Sequence, residues 1–291
     1  MHIPVLQKEV LEYLDPKPNE NFIDATVGEA GHTVAILEKN QPRGKVLGIE
    51  WDPELYKKLL KSDIDRLTLV NDSFVNLKEI VKRVKFRQLS GILFDLGLSS
   101  WHLEESGRGF SFLKNEPLDM RYNPQNSLTA EKIVNYWAAS EIEKILKTYG
   151  EERFAPRIAE TFVSFRRIKP IKTTLQLVEI IKKTVPSWYQ HKKIHFATRT
   201  FQALRIAVND ELNNLEKTLP QAIEILKPGG RLVVISFHSL EDRIVKNFLK
   251  EKSKENILKI LTKKPIRPSG EEIIKNPRSR SAKLRAAQKG R

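Results

Sequence analysis

Four short β-rich runs, FIDATV (22–27), KVLGIE (45–50), LTLVND (67–72) and GILFDLG (91–97), alternate with helix-like stretches. Strands joined by helix-length crossovers pair in parallel, and a parallel sheet has to be covered by helices. Residues 22–97 are therefore expected to form a βαβαβαβ unit of the α/β class. The alternation then stops. From about 109 to 200 no strong strand is visible. Apolar residues instead recur at three- and four-residue spacing in LTAEKIVNYWAASEIEKILKTYG, ERFAPRIAETFVSFRR and LQLVEIIKKTV, with Gly150, Pro170 and Pro186 as punctuation. After Thr200 another long helix leads to the stop signal LKPGG (226–230), then a strand RLVVISF (231–237) and a helix from about Leu240. The expected organisation is a discontinuous α/β domain, 1–108 with 200–291, interrupted by a helical domain over 109–199.

The first strand leaves through DATVGEAGHT (24–33), two glycines followed at once by a helix-like run. Such a turn lets backbone approach a ligand, and the helix start beyond it offers unpaired N–H groups. NAD, a phosphate and S-adenosylmethionine all suit that arrangement. The spacing Gly28-Glu29-Ala30-Gly31 is not the G-x-G-x-x-G of a dinucleotide site, and no G-x-x-x-x-G-K-[ST] occurs. The second strand ends in Glu50, at a distance suited to accepting ribose hydroxyls. The third ends in Asn71-Asp72-Ser73-Phe74, whose aromatic ring suits an adenine face. The fourth ends in Asp95. In an open parallel sheet these residues line one crevice at the carboxyl ends of the strands. Each acid taken singly is also explained as a cap for the helix that follows it.

The chain has 291 residues, 40% of them apolar, and no apolar run near the roughly 20 residues of a membrane span. Its start lacks the layout of a secretory signal, so a cytoplasmic protein without a membrane partner is expected. With no cysteine, disulfides, thiolate metal sites and a cysteine nucleophile are excluded. The net charge of +15 is concentrated in two places. Arg166 to Arg205 carries ten Lys/Arg against one acid, Lys263 to Arg291 carries ten against two, and the rest of the chain is close to neutral. That concentration reads as a polyanion-binding surface, with the basic end RSRSAKLRAAQKGR gripping phosphates. Solubilising lysines plus a disordered tail would give the same count.

PVLQKEV, DATVGEAGHT, DLGLSS, GRGFSF, PLDMRY, YGEERFAPRIA, TRTFQALRIAVNDEL, ISFHSLEDRIVK and NPRSRSAKLR occur in this order between residues 4 and 286. Together they resemble the bacterial 16S rRNA (cytosine-N4)-methyltransferase family. The resemblance implies S-adenosylmethionine as methyl donor, N4 of a cytosine in the decoding centre (P-site region) of 16S rRNA as acceptor, and a Rossmann-like methyltransferase domain carrying an inserted all-helical domain. It implies an rRNA partner within the 30S subunit and leaves a homodimer open. The family's cofactor positions fall on Ala30, Gly31, His32, Glu50, Phe74, Asp95 and His102. Ala30 stands where glycine is usual, so a negative φ or some strain is expected there. Glu50 replaces the usual Asp, and Trp101-His102 replaces Pro-Gln.

Methylating an exocyclic amine needs in-line placement and an acceptor for the departing proton, because the N4 lone pair is delocalised into the ring. DNA amino-methyltransferases place [SDN]-P-P-[YF] after the fourth strand, whereas this chain has Asp95-Leu96-Gly97-Leu98-Ser99-Ser100. Asp95, or a serine of that stretch, is thus one expected acceptor. Asp119, just beyond the basic-aromatic loop Gly107-Arg108-Gly109-Phe110, is a second, with a helix cap or a salt bridge to Arg121 as its structural alternative. His238 is a third residue expected at the reacting nucleotide. There the alternatives are a cap at Ser239 and a pair between Asp242 and Arg243. His191 and His195 have helical metal spacing but lack a third ligand, so no metal is expected, and with Lys192, Lys193 and Arg199 they suit RNA. Tyr136, Trp137, Trp188 and Tyr189 are expected in the core. A methyltransferase acting on DNA or protein, and an assembly factor that binds the cofactor without turnover, remain the alternatives.

Overall fold

The computed structural model describes residues 4–290. The chain divides into two units, 1–97 with 212–291, and 98–211. The first unit is built on a seven-stranded sheet of order β3-β2-β1-β4-β5-β7-β6. Its strands are β1 (Asn21–Asp24), β2 (Val46–Glu50), β3 (Leu67–Asn71), β4 (Leu89–Asp95), β5 (Leu226–Ser236), β6 (Leu258–Ile260) and β7 (Lys283–Lys289). The first five are parallel, and β7 runs antiparallel to both β5 and β6. This is the Rossmann-like layout expected above.

Alternation along the strands sends successive side chains to opposite faces. Ile23, Leu47, Ile49, Ile92, Phe94, Leu232 and Val234 pack with α4 (Leu77–Arg83), α12 (Glu211–Ile225) and α13 (Ser239–Lys254). Phe22, Val46, Leu93, Val233 and Ile235 pack with α1 (Gln7–Leu14) and α2 (Gly31–Lys39). A helix α3 (Pro53–Leu60) follows β2, capped by Asp52, whose carboxylate accepts from Glu54 and Leu55 N–H. β5 begins earlier than the sequence implies. Leu226 already pairs with Leu89, the Lys227–Gly230 stretch bulges out, and the ladder resumes at Gly91 and Arg231.

Strand β7 corrects the picture of a basic tail. Leu284, Ala286 and Ala287 are fully buried, and the Arg285 guanidinium donates to Asp242 Oδ1 at 2.7 Å. Lys283 adds a 3.3 Å contact to Asp242 Oδ2. Lys289 Nζ donates to the carbonyls of Ile223, at 2.6 Å, and Leu226, at 2.7 Å, where cations complement the end of α12. Three cations of the basic end are therefore spent inside the sheet. Asp242 pairs with these residues, and β7 folds because its one buried charge has a fixed partner.

The second unit is helical: α5 (Ser100–Glu104), α6 (Ala130–Tyr136), α7 (Ala139–Gly150), α8 (Ala155–Arg166), α9 (Thr174–Thr184), α10 (Ser187–Gln190) and α11 (Thr198–Asn209). Its core gathers Ile133, Ile142, Leu146, Ile158, Phe162, Ile181 and Leu204. The units divide at 97/98 and 211/212, whereas the sequence reading placed the divisions at 108/109 and 199/200. The reason lies in burial. Phe201, Ala203, Leu204 and Val208 of α11 belong to the helical core, and Leu98 and Leu103 pack against it. The long helix expected after Thr200 is two helices, because Asp210 adopts φ 51° and ends α11.

Replacing Asp242 with alanine would leave the buried Arg285 without its carboxylate. Removing one partner of a buried pair costs about 3 kcal/mol. Asp242→Ala should therefore lower the denaturation midpoint of the sheet unit strongly, by urea titration, while Asp242→Asn restores only a small part.

Candidate active site

Strand β1 ends at Asp24, and the turn beyond it is tied to both neighbouring strands. Ala25 N–H donates to Leu93 O at 2.9 Å, and Val27 N–H donates to Ile49 O at 3.1 Å. Gly28 has φ 55° and Ala30 φ 64°, both left-handed. Ala30 thus takes the strained alternative and not the negative φ. The strain costs on the order of 1 kcal/mol for a residue with a Cβ, and the methyl group is buried with Val27 and Leu59. Gly31 opens α2. A Cβ there would lie 2.4 Å from Pro4 Cγ, so glycine is required by packing.

Glu50 reaches back from the end of β2 to this turn. Gly28 N–H donates to its Oε2 at 3.1 Å, and Asp52 N–H donates to its Oε1 at 2.8 Å. The additional methylene relative to Asp is what a bridge of this length uses. Burial pushes the Glu50 carboxyl up to about 8, although both backbone donors favour its charged form. Asn71 Nδ2 donates to Glu50 O at 2.7 Å, fixing the end of β3 beside it. Phe74 starts a single 3₁₀ turn capped by Ser73 and meets Phe94 edge-on, with centroids 5.7 Å apart.

Asp24, His32 and Asp95 form the centre of the site. Asp24 Oδ2 accepts from Thr33 Oγ1 at 2.7 Å, and burial raises its carboxyl above the ordinary range. Asp95 N–H donates to Thr26 Oγ1 at 2.6 Å, so the turn also positions the end of β4. His32 Nε2 lies 3.5 Å from Asp95 Oδ2, too poorly aligned for a hydrogen bond. Neither ring nitrogen of this buried imidazole has a hydrogen-bond partner. Unspent polar capacity in a buried ring is costly unless a ligand or water uses it. A cationic adenosyl ligand with donor hydroxyls fits the donor set: three carboxyls from three strand ends, one imidazole and a helix start. Asp24, Thr26 and Thr33, not singled out from the sequence, hold the turn and the end of β4. Their signal was an acid at a strand end immediately before a glycine turn.

At the end of β5, His238 itself is the N-cap of α13. Its Nδ1 accepts from Glu241 N–H at 3.4 Å, while Glu241 Oε2 accepts from Phe237 N–H at 2.8 Å. His238 Nε2 is 3.1 Å from Glu241 Oε1. The cap therefore falls one residue before Ser239. Gly97 passes so close to Phe237 that a Cβ would lie 2.6 Å from the ring.

Within the helical unit the expected base-side residues are committed elsewhere. Asp119 accepts from Arg121 Nε and Nη2, both at 2.7 Å, which is the salt-bridge alternative. Arg108 is buried and donates to Arg121 O and Tyr122 O, each at 2.9 Å. Phe110 stacks on Tyr122 at 5.3 Å, and Arg108, Gly109 and Phe110 of this basic-aromatic loop are buried, while Gly107 is exposed. His102 is buried among Trp101, Phe110 and Tyr122, with Nδ1 2.7 Å from Ser99 Oγ. Of the four aromatics expected in the core, Tyr189 is buried, its hydroxyl 2.9 Å from Glu152 Oε2. Tyr136 is 79% exposed and Trp188 50% exposed, with Lys192 Nζ 4.8 Å and Arg153 Cζ 5.6 Å from the Trp188 ring. His195 stacks on Phe112 at 4.6 Å.

The model of the MraW methylase family matches residues 1–290. The ribosomal RNA small subunit methyltransferase H of Heliobacterium modesticaldum is 47% identical over 99% of this chain and 98% of its own length. The protein of the same name from Halothermothrix orenii is 47% identical with the same coverage. That of Thermosipho melanesiensis is 49% identical over 99% of this chain and 97% of its own length.

Because Glu50 binds its proton more tightly folded than unfolded, its contribution to stability is greatest at low pH. That contribution is lost as pH rises from the ordinary 4.5 to about 8. Glu50→Gln abolishes this titration. The stability difference between variant and wild type should therefore shift toward the variant between pH 5 and pH 8, in parallel thermal melts. A difference that stays constant would mean that the carboxyl is ionised throughout.

Proposed function

The chain belongs to the MraW methylase family, and from that membership we propose that it transfers the methyl group of S-adenosylmethionine to N4 of a cytosine in the decoding centre of small-subunit rRNA. The observation that carries the reading is the buried His32 imidazole, with both nitrogens unspent, beside Asp24 and Asp95 at the carboxyl ends of β1 and β4. We take the cytoplasm as the compartment and the assembled 30S particle as the substrate.

The bound donor supplies an electrophilic methyl group on a sulfonium. The residues of this chain have a positioning task, where orientation contributes roughly 7 to 11 kcal/mol to lowering a barrier. Glu50 accepts from the ribose hydroxyls, most strongly in its ionised form. Phe74 offers its ring to the adenine, and the N–H of Gly31 faces the ligand at the start of α2, the Ala30 N–H being spent on Val27 O within the turn. His32 donates or accepts through its open nitrogens. Asp95 polarises the N–H of the incoming amine and receives the proton through its carboxylate. His238 positions the nucleotide from the start of α13. The target cytosine has to be unpaired and unstacked, since N4 is engaged in a base pair otherwise. The exposed Trp188, flanked by Arg153 and Lys192, gives the helical unit a stacking platform for single-stranded RNA. His102, already committed to Ser99, is given no role at the donor.

Radiolabelled methyl transfer to undermethylated 30S subunits and to naked 16S rRNA, followed by nucleoside digestion, tests the reading. N4-methylcytidine on 30S subunits is the expected product. Cofactor binding without label on either substrate would favour a non-catalytic assembly factor instead. Asp95→Asn should lower kcat by about 10² or more, as loss of a proton acceptor does. Glu50→Gln should weaken S-adenosylmethionine about tenfold, in the range for one hydrogen bond to a charged group. In wild type that affinity should rise between pH 6 and pH 8 by calorimetry, because burial holds Glu50 protonated at the lower pH.

A further inference from the structure

A groove of about 830 Å³ runs between α13, β6 and the 262–265 loop. Five of its lining residues are lysines, Lys246, Lys250, Lys259, Lys263 and Lys264, all exposed, and no lining residue is acidic. Among the described residues none of the five is in an ion pair. Leu249 and Leu258 form a buried floor, and Ser253 and Asn256 supply polar side chains along the wall.

The arrangement of charge on α13 separates this groove from an ordinary solvated surface. Lys246, Leu249, Lys250 and Ser253 follow helical spacing and share one face. The acids lie elsewhere: Lys252 Nζ is 3.2 Å from Glu251 Oε1 and 2.9 Å from Glu255 Oε2. Glu251 and Glu255 are thus paired with Lys252 away from the groove, whose lining takes only Lys246 and Lys250 from the charged residues of this helix. Like charges at i and i+4 destabilise a helix. The nearby Asp242 is neutralised by Arg285 and Lys283. Lys259 alone would be explained as protection of the β6 edge, but the other four are not on a strand.

We propose that this groove holds the phosphate backbone of RNA, at a site that shares no residue with the carboxyl-edge cluster. The proposal rests on the rRNA reading for the identity of its polyanion. A concave groove whose charged lining is all cationic suits a polyanion backbone, and no exposed large apolar side chain lines it for insertion into a lipid surface.

The test is a variant with all five lysines changed to Gln, compared with wild type and with an all-Arg variant. The readouts are salt-dependent binding of in vitro transcribed 16S rRNA, thermal melting, cofactor affinity, and methyl transfer at saturating RNA. Each phosphate contact adds roughly 0.7 to 0.9 to the slope of log K against log salt. The Gln variant is expected to lose about 4 from that slope and to raise KM for RNA. Its melting, cofactor affinity and kcat should match wild type, and the Arg variant should retain the slope. An unchanged slope in a folded Gln variant overturns the groove even if wild type methylates rRNA. A reduced slope in a protein that methylates no rRNA supports the groove while refuting the proposed reaction.

Discussion

Parallel pairing of β1 with β2 on one side and β4 on the other is the constraint on which the rest depends. Their registers, Asp24 beside Gly48 and Leu93, bring the ends of three strands to one edge. The turn after β1 is then bonded to both neighbours through Ala25 and Val27, so its backbone has no freedom to relax. That restraint holds Ala30 in a left-handed conformation and aims the start of α2, with His32, at Asp95. The polar cluster follows from strand order; the strands themselves are held by apolar residues on both faces.

Buried charge is handled in two opposite ways in the same unit. At the far side of the sheet Arg285 and Asp242 satisfy one another, and burial of both becomes compatible with a continuous strand. At the carboxyl edge, Glu50 and Asp24 are buried with hydrogen-bond donors but, among the described residues, with no Lys or Arg bonded to them, and their carboxyls are pushed up. The first arrangement is complete in itself. The second is left short of positive charge, which is the electrostatic condition for receiving a cationic donor.

The parallel strands were legible because each is a run of β-branched and apolar residues between helical segments, and their terminal acids could be assigned to one edge from topology alone. Strand β7 was not, because KLRAAQK has neither a β-branched residue nor a clean alternation. Its burial depends on Asp242, 43 residues earlier in the chain. The committed roles of Arg108 and Asp119 were hidden for a similar reason. A basic loop and a nearby acid look alike whether their charges face a ligand or backbone carbonyls and a neighbouring arginine. The helical block was visible from its period, but period does not say that Trp188 stands half outside the core it helps to bound. Nor could spacing show that the two nitrogens of His32 lack partners, since that depends on how Thr33 rather than His32 satisfies Asp24.

The position of β7 in the sheet also matters while the chain is being made. Strand β6 pairs with β7 alone, and β4 pairs with a β5 that begins 131 positions after β4 ends, at residue 226 against 95. During translation the first four strands therefore emerge as a half-sheet with an open edge at β4. The helical unit, whose core lies within residues 98–211, is synthesised in full before that edge is covered. Residues 258–260 then wait for 283–289. The sheet can close only once residues 283–289 have been made, after every residue of the helical unit.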